Sequence, residues 1–123
     1  MRAIYLSLIL LLALVTGALA HHGQAAFDTS KTVTVTGTVT EFEFLNPHVQ
    51  VYIEVKGDKG EKEKWQGELT APNKLARAGW TKRTLKPGDT VTLSGFQTQN
   101  GAKTLWIRKL VGPTGESLPL FED

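Results

Sequence analysis

The chain has 123 residues, with 14 Lys and Arg against 12 Asp and Glu, a formal net charge of +2. That length suits a single domain, and so even a balance offers no broad cationic surface, so nucleic acid is not an expected partner. Cysteine is absent and Met1 is the only methionine, which excludes disulfides, thiolate metal sites and cysteine nucleophiles.

Residues 1–20 read as a cleaved secretory signal peptide. Arg2 supplies a positive start, Ile4 to Val15 an apolar run, and Ala18-Leu19-Ala20 the small side chains that signal peptidase requires. The run is shorter than the roughly 20 residues that span a bilayer, so no stable membrane span is expected after cleavage. A cut after Ala20 makes His21 the first residue of a periplasmic or secreted chain. It also removes Arg2, leaving 13 basic residues against 12 acidic ones.

A histidine-containing segment, 21–32, follows, and then a strand. "VTVTGTVTEFEF" (33–44) alternates with period two, but Val33, Val35 and Val39 share one parity while Phe42 and Phe44 share the other. A bulge or bend is needed, and Gly37 lies close to where it would fall. "HVQVYIEVK" (48–56) is a second strand, entered through the Asn46-Pro47 turn, with Val49, Val51, Ile53 and Val55 on one face. His48, Gln50, Tyr52 and Glu54 take the other. The alternating charges of "KGDKGEKEK" (56–64) mark a hairpin tip, and "EKWQGELT" (63–70) is a third strand.

"TAPNKLARAGW" (70–80) is a short helix, with Pro72 in its first turn. Gly79 fits the left-handed position after its end, bringing Trp80 against Leu75 in a Schellman cap. A Pro87-Gly88-Asp89 turn leads to a fourth strand with Val91 and Leu93 inward, and an Asn100-Gly101 turn leads to a fifth, within 101–111. Trp65, Trp80 and Trp106 are expected in the core. Residues 112–123 are expected to form an irregular tail. The class is therefore all-β with one short helix, in the order β-β-β-α-β-β. That is an OB-like five-stranded barrel over 33–111, after a cleaved signal peptide.

The motifs "HHG" and "FD" near the mature start, "TGTVTEFEFLNPH", "PNKLARAGW" and "LKPGDTVTLSG" together resemble a bacterial family of small exported proteins, a domain of unknown function. The resemblance covers nearly the whole mature chain and implies an exported single-domain protein, without an established activity. One departure is visible: the family often carries an aromatic residue soon after the NPH motif, where this chain has Gln50.

Two sets of residues carry chemistry. A free N-terminal His21 can chelate through its α-amine and imidazole, and His22 or His48 would add a further nitrogen. With no sulfur available, such a set favours Cu(II) over other divalent metals, and Asp28 is the nearest oxygen, as a weak ligand or in a supporting role. The alternative is a metal-free barrel that holds an envelope protein, glycan or small ligand on the face of strands two and three, with Gln50, Tyr52 and Gln66. Catalysis is not expected. Ser30, Ser94 and Ser117 lie in no nucleophile-elbow context, and Glu41 and Glu43, which share a strand face, read as solvated.

Overall fold

The computed structural model describes residues 26–120. Its elements are β1 (Val33–Glu43), β2 (Gln50–Lys56), β3 (Lys62–Glu68), a helix α1 (Pro72–Arg77), β4 (Thr90–Gln97) and β5 (Thr104–Val111). The strands close into a barrel in the order β1-β2-β3-β5-β4. This is the OB-like arrangement, with its expected strand and helix order. Neighbouring strands are antiparallel except β3 and β5, which meet in a short parallel seam from Gln66↔Thr104 to Glu68↔Trp106. The expected signal peptide, and with it His21 and His22, lies outside the described residues.

The first strand serves two neighbours. Val33 to Thr38 pair with β4, and Thr38 to Glu43 pair with β2. Between Val39 and Glu41 the register with β2 shifts, leaving Thr40 as the extra residue of a bulge. That shift reconciles the two parities: Val39 is buried inside, and beyond the bulge Phe42 packs against the core. The irregularity therefore falls at Thr40 and not at Gly37. Gly37 has a different task, because a Cβ there would stand 2.5 Å from the Glu54 carbonyl oxygen of β2.

Inward residues alternate along the strands, with the phase slipping at the irregularities in β1 and β5. Val49, Val51 and Ile53 meet Leu69, Val91, Leu93, Leu105 and Leu110 in one cluster. Each such side chain contributes about 1.5–3 kcal/mol when fully buried, so this interior is the main drive to closure. β2 begins at Gln50, so His48 and Val49 form its approach, held by bonds from Val49 N to Thr70 O and from Leu69 N to Val49 O.

α1 ends in the expected cap. Trp80 N donates to Leu75 O, Gly79 N donates to Ala76 O, and Gly79 has a φ of 96°. Trp80 thereby enters the core, 6.2 Å from the Phe42 ring. Its Nε1 donates to Pro119 O at 2.7 Å, so the C-terminal segment lies across the indole. Leu118 N also donates to Leu110 O, and Leu118 and Leu120 pack on the core. The described part of the tail is irregular, yet it is part of the folded body.

Gly95 sits at a second register shift, between β4 and β5. A Cβ there would lie 1.9 Å from the Trp106 carbonyl oxygen. Backbone cannot rotate away as a side chain can, so Gly95→Ala should destabilise the barrel by about 1–3 kcal/mol. A lower urea midpoint with unchanged slope is the expected result in equilibrium unfolding.

Candidate functional site

Residues paired across neighbouring strands project to the same side, so the registers define the outer face row by row. One row carries Glu43, Gln50, Glu68, Trp106 and Phe96; the next carries Glu41, Tyr52, Gln66 and Thr104. Gln50, Tyr52 and Gln66 thus come together as their alternation implied. Gln66 Nε2 donates to Gln50 Oε1 at 2.7 Å, linking β2 to β3 at the centre of the face.

His48 stands at the edge of the same face. Its Nδ1 is 2.5 Å from Glu68 Oε1, and the carboxylate can only accept, so Nδ1–H donates. The bond fixes the ring and leaves Nε2 as the nitrogen with a free lone pair, the arrangement found behind metal-binding histidines. The side chain is 38% exposed, so solutes can reach it. Glu68 was not singled out from the sequence. A hairpin register counted from the Gly57–Gly60 loop would have set Glu68 opposite Gln50, diagonal to His48, but the loop's closing pair had to be known first.

Trp106 is the second addition. Alternation in the fifth strand leaves it outside the barrel, half-buried, whereas Trp80 is in the core and Trp65 packs at its margin. The His48 ring meets Trp106 edge-on at 5.7 Å, and Phe27 lies 6.1 Å from the same indole. Phe27 is 5% exposed although it precedes β1. Its segment is stitched to the end of β4, since Gln99 N donates to Ala26 O and Asp28 N to Gln97 O. Residues 26–28 therefore lie on the side that carries His48.

Asp28 is engaged locally. Its Oδ1 accepts from the Ser30 hydroxyl at 2.5 Å and from Ser30 N at 3.0 Å. These bonds, the hydroxyl's foremost, hold its carboxyl below the usual range. Among the described residues no group of three or more His, Asp or Glu side chains is set to hold a metal ion. A site that uses His48 would have to draw further ligands from elsewhere.

Glu41 and Glu43 bear on a neighbour. Tyr52 is partly desolvated, which raises its phenol, and Glu43, Glu41 and Glu68 raise it further by making the anion unfavourable. Of the two tyrosines, only Tyr52 lies in residues 21–123. In that form, the tyrosinate absorbance should titrate with a midpoint above 10.0, the unperturbed value. Glu43→Gln should lower the midpoint. Because the folded phenol holds its proton longer than the unfolded one, stability should fall as pH rises past that unperturbed value.

Comparison with known proteins bears on the fold and the family. The mitochondrial single-stranded DNA-binding protein of S. cerevisiae is similar in structure, with a TM-score of 0.51 at 10% sequence identity. The match covers 67% of this chain and 92% of that one. Likeness at so low an identity concerns the barrel alone. Among curated proteins none matches. A family model does match, over residues 9–106, a span that takes in the histidine pair, the NPH motif and every strand up to Trp106. On that span the chain belongs to a family of unknown function, DUF6152.

Proposed function

We propose that this is an exported, non-enzymatic binding protein of the bacterial periplasm or envelope that holds a divalent metal, Cu(II) before others. Cleavage after Ala20 gives His21 a free amine. That amine and the His21 imidazole form a chelate, His48 Nε2 supplies a third nitrogen, and His22 is a further or substitute ligand. Asp28 keeps Oδ1 on its bonds to Ser30 and can offer Oδ2. Nitrogen ligands without sulfur favour Cu(II), which stands highest among the divalent first-row metals.

The observation that carries this reading is the shared contact at Trp106. Phe27 and His48 touch the same indole at 6.1 and 5.7 Å. At about 3.3–3.6 Å per residue, the stretch from His21 to Phe27 can span ~20 Å, more than those two separations together. Both histidines are thus within reach of His48. The Glu68 carboxylate supports the reading too, since it holds the tautomer a metal needs.

Intact mass of the exported protein should show a chain beginning at His21. Calorimetric titration of that protein with Cu(II) should give submicromolar affinity. A methionine placed before His21, or His48→Ala, should weaken binding at least tenfold, and Glu68→Gln about 10–100-fold. Equal affinity with and without the added methionine would remove the amine chelate, and unchanged binding in His48→Ala would remove the barrel's share in the site.

A further inference from the structure

The outer face holds a second feature that owes nothing to a metal. Two grooves, of about 310 and 340 Å³, run on either side of Tyr52. The first is lined by Tyr52, Lys64, Trp65, Gln66, Lys103 and Thr104. The second shares Tyr52, Lys64 and Trp65 and continues past Thr40, Glu41 and Glu54. Because three residues are common to both, the grooves form one trough across β1, β2, β3 and the start of β5.

The trough exists because the barrel seam is short. Upstream of Gln66, β3 and β5 no longer pair. There, Glu63 ties the two sides together, accepting from Trp65 Nε1 at 3.3 Å and from Lys103 Nζ at 3.2 Å. These bonds hold its carboxyl below the usual range, Trp65 foremost. The wall of the trough is thereby a braced surface and not a loose loop edge.

Its chemistry selects the occupant. A polyphosphate chain would meet Glu41 and Glu54 along the trough. A polycation would meet Lys64 and Lys103. What remains is a neutral ligand rich in hydrogen-bonding groups. The bonded amide pair suits one: with Gln66 Nε2 donating to Gln50 Oε1, the Gln50 amide nitrogen still donates and Gln66 Oε1 still accepts. Tyr52 adds an aromatic ring with a polar tip, the kind of surface against which the apolar face of a sugar ring packs.

We propose that this trough binds a neutral glycan, with Tyr52 as the stacking residue, Gln66 and Thr104 as hydrogen-bonding partners in its lining, and Gln50 acting from beside Gln66. The site is separate from the metal proposed above and does not depend on it.

The test is a heteronuclear NMR titration of residues 21–123, in the presence of a chelator, with chitohexaose and with cellohexaose. A thymidine oligonucleotide of similar length is the comparison. At least one sugar should shift the amides of Tyr52, Gln66 and Thr104 and the Gln50 and Gln66 side-chain amides. The thymidine oligomer should leave them in place. Tyr52→Ala should weaken the sugar about tenfold, as expected for loss of one stacking ring. Gln66→Ala, which removes no ring, should weaken it as well, and circular dichroism of each variant should match the parent. No shifts with either sugar, shifts on another face, tighter binding of the thymidine oligomer, or undiminished binding in both folded variants would overturn the proposal. Because metal is absent throughout, the outcome is independent of Cu(II) binding.

Discussion

One strand has to be in two places. β1 pairs with β4 through its first half and with β2 through its second, and Thr38 stands in both ladders. A flat, regular strand cannot do this, because closure of a five-stranded sheet demands strong local bending. The bulge at Thr40 supplies the bend and turns the inward face from the valines to the phenylalanines. Gly37 lets the β2 backbone come close where the strand coils. With β1 so bent, β5 can reach β3 and close the barrel, although their parallel seam runs only from Gln66 to Glu68.

The shortness of that seam shapes the outer face. Where β3 and β5 pair, Glu68 and Trp106 are brought side by side, and His48 finds both: a carboxylate for Nδ1 and an indole edge for its ring. Where the strands part, the trough beside Tyr52 opens and Glu63 braces it. The histidine position and the trough are thus two results of one closure. They lie on neighbouring rows of the same face, joined by the Gln50–Gln66 amide bond.

The segments beyond the strands complete the body. Phe27 covers Trp106 from one side, and the C-terminal residues around Pro119 cover Trp80. A barrel this small has little interior to spare, so residues that a strand count would leave out, Phe27, Leu118 and Leu120, contribute buried apolar surface. Ala26 and Phe27 consequently lie on the Trp106 side of the barrel.

Local signals in the sequence were strong enough to determine a good deal. Period-two alternation marked the strands, the parity slip between Val39 and Phe42 required a bulge, and Pro72 with Gly79 bounded the helix and its cap. These depend on neighbours within a few residues, so a linear reading can see them. Alternation likewise grouped Gln50 and Tyr52 with His48. What the tertiary structure alone decided were the cross-strand partners. Glu68 beside His48, Trp106 between His48 and Phe27, and Glu63 between Trp65 and Lys103 each depend on register across strands or on barrel closure. Register is set by how the whole sheet packs its apolar face, not by any residue's own neighbours. The sequence by itself determined which side chains of β2 face outward, whereas the outward place of Trp106, and which outer side chains meet, came only with closure of the barrel.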